Sequence, residues 1–521
     1  MQSDCLIGID LGTTLAKAGV YDIQGNLLGE AHQETEVHYS RPGVAEQDPA
    51  EFYRSAVTTL RAALEQAGIS SARIAALCID SQAGGIMGID RHWQPVTHFD
   101  SPLDTRSNAQ KQRMMTAAGD RILELAGTSP TYGQKILWWK EERPEAWKRV
   151  DKFIQPAAYV AGLFAGLSGE QAFMEPAFMG WSGLSDSANR RWSEELCELF
   201  DVPQRVLPRV APAFEVIGHL TPQAARDSGL PSGVPIAAGT ADAAASLLGA
   251  GVVDAGTLFD IAGTACVFGL CMDHYRADAA SRTLCCMSSV LPSRFYQLSI
   301  VLGGRTHDWF VHEFCQLEAS QAAQQGMSVY AFMDAKAEGL PPGSEGVLCI
   351  PQLGGRWNPP QPDARGLWIG FGWGHRKEHL YRSILEALAY EYAIYLARMR
   401  ELWPQADFHQ VRVISGGGRS RLWNQIKSDV LGIPYGKLAR HDLATWGSAL
   451  IAGHAVGIFP DLALAARARS KIEDETRPDW AANGLYRPYV ALYPTLFENN
   501  RDTFEVLAGI MTRTTGFSCE E

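Results

Sequence analysis

The chain opens on short apolar runs separated by turn residues: CLIGID, AKAGVYD and NLLGEA within residues 5–31. Leu11-Gly12-Thr13-Thr14 joins the first two runs and Gln24-Gly25 the next two, a pattern that predicts a three-stranded meander. The period then changes. Asp48-Pro49 reads as an N-cap followed by a first-turn proline, and Phe52, Ala56, Leu60, Ala63, Leu64 and Ala67 recur at helical spacing up to Gly68. The next apolar run, IAALCID (74–80), predicts a strand that runs straight into Ser81-Gln82-Ala83-Gly84-Gly85. Meander, helix and strand together predict an α/β domain.

Residues 120–200 read as helical, with the aromatic pair Trp138-Trp139 inside them. Order returns with GVPIAAG (233–239) as a strand and ADAAASLLGAG (241–251) as a short helix whose N-cap is Thr240. A second meander-like piece, GTLFDIAGTACVFGLC (256–271), turns at Ala262-Gly263-Thr264-Ala265 and repeats the Gly-Thr chemistry of the first. The echo points to a duplicated architecture. The small, Gly-rich stretch GAGVVDAG places the boundary near 250–256, giving halves 1–250 and 251–521. Further on, 376–401 reads as one long helix with Leu380, Ile384, Leu388, Tyr392 and Leu396 along a side. FHQVRVI (408–414) reads as a strand leading to Ser415-Gly416-Gly417-Gly418, then a helix capped by Ser420 and stopped by Gly432 and Pro434.

Composition narrows the classes. A net charge of −12 argues against a nucleic-acid partner, which needs a basic face. No apolar run approaches the roughly 20 residues of a membrane span, so no membrane partner is expected. The N-terminus MQSDCLIGID carries acids where a secretory signal carries positive charge, and the ten cysteines contain no CxxC. Reduced thiols in the cytoplasm are the expectation.

Four segments share one layout, a buried strand ending in a polar or Gly-rich turn: IDLGTT (9–14), AAGTAD (237–242), IAGTA (261–265) and VISGGG (413–418). Strand ends feeding such turns are where α/β proteins bind ligands. Glycine lets backbone N–H groups approach phosphate oxygens closely, and threonine adds a hydroxyl. Asp10 ends an apolar strand just before the first turn. A carboxylate there suits Mg²⁺, which keeps its waters and takes one or two carboxylates; the alternative is an Asp bonded to its own turn. Lys17 on the returning strand could reach the same phosphates, or be a solvated edge residue. Asp242 falls in the first turn of its helix, where the helix N-terminus favours a carboxylate that stays ionised near neutrality. Such a group suits proton acceptance from a substrate hydroxyl during phosphoryl transfer; the alternative is an ordinary first-turn Asp. GFGWGH (370–375) mimics a dinucleotide fingerprint, but the helix starts too late. His307 and His312 lack the HExxH zinc spacing, and Trp138, Trp139 and Trp309 read as packing.

These residues together resemble the FGGY carbohydrate kinases, from IGIDLGTTLAKAGVYDIQGNLLGEA to ATWGSALIAGHAVGIF. GLWIGFGWGHRKEHLYRSILEALAYE (366–391) is similar to the family's second signature, with Phe371 in place of the usual aliphatic residue; YGQKILWWKEE (132–142) matches the first only in part. The resemblance implies a two-domain actin-like, ribonuclease-H-like fold and phosphorylation of a small sugar or polyol by ATP with Mg²⁺. It implies that Thr13, Thr14 and Lys17 form the first phosphate loop, and Gly263 and Thr264 the second. Gly304, Gly417 and Gly418 would border the nucleotide, Asp10 would stand near Mg²⁺ and Asp242 would be the base. Asp104 and Arg106, in SPLDTRS, fit the family's Asp-x-Arg segment at the sugar.

The sugar loop departs from the pattern. Gln82-Ala83-Gly84 stands where xylulose kinases show Gln-Met-His-Gly and glycerol kinases Gln-Arg-Glu, so Ala83 and Gly84 offer no side-chain hydrogen bond. Ala243 replaces the amide that usually follows the base, Glu175-Pro176 replaces a Thr-Asp pair, and Arg356 lacks its preceding Glu. A pentulose such as xylulose is the expected substrate, with hexuloses, ribulose, tetritols and glycerol as alternatives. A non-catalytic sugar or nucleotide sensor, or an actin- or chaperone-like ATPase, would share the fold. Dimers are common in such families, so a homodimer is expected by resemblance alone.

Overall fold

Strands β1 (Cys5–Leu11), β2 (Leu15–Asp22) and β3 (Leu27–Glu34) form the expected antiparallel meander, with Asp10 paired across from Lys17. The computed structural model describes residues 3–515. Helix α1 (Pro49–Ala67) starts where Asp48 accepts a hydrogen bond from the Ala50 N–H, and ends where Gly68 takes a left-handed φ of 60°. Strand β4 (Ile74–Ser81) then pairs parallel to β1, which sets Asp80 beside Asp10. Strands β5 (Val216–His219) and β6 (Pro235–Ala237) complete a six-stranded sheet in the order β5-β6-β4-β1-β2-β3.

Two readings of this half need correction. Residues 120–200 are not one helical block. Helices at Asn108–Ala126, Gly133–Glu142, Pro144–Arg149 and Pro156–Ala165 give way to short strands and turns, because prolines restart the chain at 144, 156 and 176. Helix α2 (Asp242–Gly249) has Ala241, not Thr240, as its N-cap, and no side chain caps it. The preceding residues stay extended, with Ala241 bridged to Ser81 of β4, so the Thr240 hydroxyl is drawn to Glu175, 2.7 Å away.

The second half repeats the plan. Strands β7 (Leu258–Ala262), β8 (Cys266–Met272), β9 (Cys285–Ser288) and β10 (Phe295–Val301) are antiparallel neighbours. Helices α3 (Gly303–Phe314) and α4 (Lys377–Leu402) follow, and the latter matches the long predicted helix. Strand β11 (Val411–Ile414) is shorter than the run 408–414 suggested. It leads to α5 (Arg421–Leu431), capped by Ser420 as expected and closed by Gly432 at φ 67°. With β12 (Tyr435–Leu438), α6 (Leu443–Ala455) and β13 (Ile472–Thr476), the sheet order is β9-β10-β8-β7-β11-β12-β13. In both sheets an antiparallel meander is followed by two parallel strands and an antiparallel edge.

Helix α6 of the second half packs on β1 and β4 of the first. The approach is close enough that a Cβ on Gly8 would stand 1.8 Å from the Thr445 carbonyl oxygen, so only glycine fits. Among the described residues no helix is long and apolar enough to cross a membrane. The described cysteines are free, and Cys519 lies outside the described residues, as do Met1 and Gln2 of the N-terminal segment.

Candidate active site

Three neighbouring strands deliver their ends to one place. Strand β4 lies between β1 and β6, so Asp10, Asp80 and the Ala241-Asp242 step arrive side by side. Backbone bonds splice the ends: the Gln82 N–H donates to Leu11 O over 3.0 Å, and the Ser81 N–H to Thr240 O over 3.2 Å. Past β1 the chain turns tightly at Gly12, whose N–H reaches Leu15 O at 3.0 Å. Thr13 and Thr14 ride on this turn, Thr14 exposed, and Lys17 places its ammonium 3.6 Å from Asp10 Oδ2.

Burial governs the electrostatics of this corner. Asp10 is 6% exposed and Asp80 0%. Desolvation raises both carboxyls above the usual range; Lys17 draws Asp10 back, whereas the charge of Asp10 lifts Asp80 further. Asp80 Oδ2 accepts a 2.6 Å bond from the Ser448 hydroxyl of α6, but Asp80 Oδ1 and Asp10 Oδ1 are both buried without a partner. For Asp242, desolvation and then the Asp10 charge push the carboxyl up to about 7, against the Ala243 N–H it accepts at 2.6 Å and the Lys17 ammonium. The expectation that the helix terminus keeps Asp242 plainly ionised is thereby corrected. Like charge and burial outweigh a helix of only Asp242–Gly249.

The sugar-side residues meet each other before they meet solvent. Gln82, 2% exposed, accepts from the Thr13 hydroxyl at 2.9 Å and donates to Gln47 Oε1 at 2.7 Å, so it braces the turn that carries Thr13 and Thr14. Asp104 and Arg106 come together as expected but turn inward. The guanidinium bonds Glu46, Asp100 and Asp104, each at 2.8 Å, and stacks 4.7 Å from the Trp138 ring. Trp139 donates to Asp100 at 2.6 Å, which bears out packing for this aromatic pair. Gly84 takes φ 85°, and a Cβ there would stand 3.3 Å from the Thr131 hydroxyl. Ala83 and Gly84 therefore present only a methyl group and backbone in the turn after β4.

In the second half, the β7–β8 turn, the start of α3 and the segment after β11 converge on a cavity of about 470 Å³. Gly263, Gly304 and Gly417 line it. Gly304 is pressed against the turn, where a Cβ would meet Gly263 O at 2.0 Å, and the Arg305 N–H bonds Thr264 O at 3.0 Å. Gly418 sits behind the lining, against Val413. The far wall is aromatic: the ring of His307 lies 5.0 Å from Tyr381 and 5.3 Å from Tyr330, with Trp423 beyond. Burial holds His307 neutral, with its pKa lowered to about 4. A cavity with an aromatic wall on one side and Gly263, Gly304 and Gly417 on the other is suited to a nucleotide.

The paired sheets, the two Gly-Thr turns and this cavity agree with comparisons to known proteins. The N-terminal domain of the FGGY family of carbohydrate kinases is matched by residues 5–249, and its C-terminal domain by residues 260–456. The chain belongs to that family. It is an FGGY carbohydrate kinase, with ATP as phosphoryl donor and a small sugar as acceptor. A xylulose kinase of Staphylococcus epidermidis is 24% identical over 99% of this chain and 100% of its own length. An autoinducer-2 kinase of an Enterobacter species is 27% identical over 92% of each. The solved xylulose kinase of Rhodospirillum rubrum shares the actin-like fold, with a TM-score of 0.86 over 96% of this chain and 100% of that one, at 23% identity.

Asp80 is a functional candidate that its sequence surroundings did not single out, a fully buried carboxyl pushed up by desolvation and by the charge of Asp10. The signal was available: Asp80 closes an apolar strand at the same position that Asp10 does, one residue before the turn.

Proposed function

We propose that this kinase transfers the γ-phosphoryl group of ATP to a primary hydroxyl of a pentulose such as xylulose, with Asp242 as the base. The observation that carries the reading is the position of Asp242 at a shared strand-end corner with the Thr13-Thr14 turn, its carboxyl pushed up to about 7. A base near the operating pH combines a useful ionised fraction with enough basicity to take the hydroxyl proton as the new O–P bond forms. Residues 1–250 hold the sugar and the first phosphate loop, and 251–521 most of the nucleotide. Closure of the halves would align hydroxyl and γ-phosphate and exclude water. The free thiols fit a cytoplasmic enzyme.

The unpartnered, buried Asp10 Oδ1 suits a hard cation. Mg²⁺ takes one or two protein carboxylates and otherwise waters and phosphates, so a carboxylate at this position fits its needs. When bound beside Asp10, Mg²⁺ would neutralise charge on the phosphate oxygens. Lys17 and the backbone N–H groups of the Thr13 turn bind the transferring group, and Asp242 takes the proton.

Xylulose is favoured by the relatives named for it; the autoinducer-2 kinase relative keeps other small hydroxylated acceptors open, as does a sugar loop of Ala83 and Gly84. Polar specificity rests on placed partners, and here they are few. Coupled ADP release with a panel of pentuloses, hexuloses and polyols tests the reading. A pentulose giving the highest kcat/KM supports it, and a polyol or hexulose doing so replaces the substrate named here.

A further inference from the structure

Phosphoryl transfer as set out above uses Asp10 and Asp242 and gives Asp80 nothing to do. We propose that Asp80 is a second carboxylate of the divalent-cation site, acting together with Asp10. This rests on the reading of that corner as the cation site of a kinase.

The strand register makes the pairing unavoidable. Asp10 and Asp80 are direct partners in the parallel β1–β4 ladder, so their side chains leave the same face of the sheet, the face that α6 covers. Strand β4 is the middle of the three, so Asp80 stands between Asp10 and the Ala241-Asp242 step. One oxygen of Asp80 is satisfied by Ser448; the other is buried and unpartnered, and so is Oδ1 of Asp10. The two carboxyl groups, at exposures of 0% and 6%, are close enough to share a proton, and with both ionised an oxygen of each has no donor.

Charge points the same way. Lys17 pairs with Asp10 alone, through a side chain that is 49% exposed, and among the described residues no basic side chain forms an ion pair with Asp80. Buried acceptors without donors, and two acids that share one half-exposed ammonium, are retained where a ligand supplies what the protein withholds. A divalent cation fits both deficits, and two carboxylates are within the usual protein share of an Mg²⁺ or Mn²⁺ site. This arrangement also leaves Asp242 free of the cation as the proton acceptor.

Mn²⁺ titration of the full-length protein with ADP, read from the free-ion electron paramagnetic resonance signal, tests the assignment. Wild type is compared with Asp80→Asn and Asp80→Ser, each checked for ADP binding in EDTA. The expected result is a loss of Mn²⁺ affinity of about tenfold or more in both variants, with ADP binding in EDTA unchanged. Equal Mn²⁺ affinity in wild type and a folded variant would overturn the proposal, and would leave Asp80 as a structural acid bonded to Ser448. If neither variant folds, nucleotide-free wild type decides: Mn²⁺ binding without ADP supports a site with two protein carboxylates, and its absence rejects one. Sugar phosphorylation is read separately. A lost Mn²⁺ effect with intact phosphorylation sinks this inference alone, whereas absent phosphorylation with an intact Mn²⁺ effect sinks the kinase reading and leaves the site.

Discussion

The Thr13 hydroxyl donates a 2.9 Å hydrogen bond to Gln82 Oε1, joining the turn after β1 to the turn after β4. Gln82 in turn donates to Gln47, whose own amide reaches back to Thr13 O at 3.4 Å. A residue of the sugar-side loop thus holds the phosphate turn in place. Gln82→Ala removes the acceptor of one bond and the donor of another, each worth about 0.5–1.5 kcal/mol. The expected outcome is a rise of about 5–150-fold in KM for ATP with a smaller change in KM for the sugar. Steady-state kinetics with each substrate varied separately checks it.

Asp242→Asn keeps the shape of the side chain and removes its basicity. General-base contributions are typically 10²–10⁴-fold, so kcat is expected to fall by about that factor while ADP binding is retained. Coupled ADP release and calorimetry measure the two halves of this statement independently.

The pH profile follows from the same carboxyl. With Asp242 pushed up to about 7, the acid limb of kcat/KM is expected near that pH, not near the ordinary carboxylate value of about 4. Below it the protonated fraction grows and the rate falls about tenfold per pH unit. Stability carries the opposite sign. Because the folded-state pKa is raised, the folded protein keeps a proton that the unfolded chain has already lost between about 4 and 7. That stabilisation is present at low pH and lost as pH rises through 7. The melting temperature of Asp242→Asn relative to wild type should therefore rise from pH 5 to pH 8, as thermal denaturation across that range will show.

Lys427 and Asp260 form an ion pair of 2.5 Å with both side chains at 0% exposure. Tyr392 donates to the second oxygen of Asp260 at 2.8 Å, and the Lys427 ammonium lies 4.2 Å from the ring of Trp423. Lys427→Met leaves Asp260 charged and unpaired beneath the Gly263 turn, at an expected cost of about 3–5 kcal/mol. The double variant Lys427→Met/Asp260→Leu should recover a large part of that loss in chemical denaturation.

Gly263 and Gly417 were legible along the chain because each follows an apolar run that ends in a turn, whereas Gly304 was implied by the family resemblance alone. Gly263, Gly304 and Gly417 accordingly meet at one cavity. Asp80 was legible only in part, as a carboxylate at a strand end like Asp10. It closes an apolar run, and its meaning depends on Asp10 in the neighbouring strand and on Ser448, 368 positions away. Thr240 failed as a cap for a similar reason, since a tertiary partner, Glu175, takes the hydroxyl that a local reading gives to the helix. Asp104 and Arg106 were found as a pair, but Glu46 and Asp100 decide which way the pair faces.

In the proposed mechanism Asp242 accepts the proton of a sugar hydroxyl as ATP gives up its γ-phosphoryl group. Coupled ADP release, with and without each sugar of a ketose and polyol panel, tests it most directly in wild type and Asp242→Asn. The expected result is ADP release that requires an acceptor, is fastest with a pentulose, and is lost in Asp242→Asn. ADP release at the same rate without any acceptor, or wild-type turnover in Asp242→Asn, would contradict it.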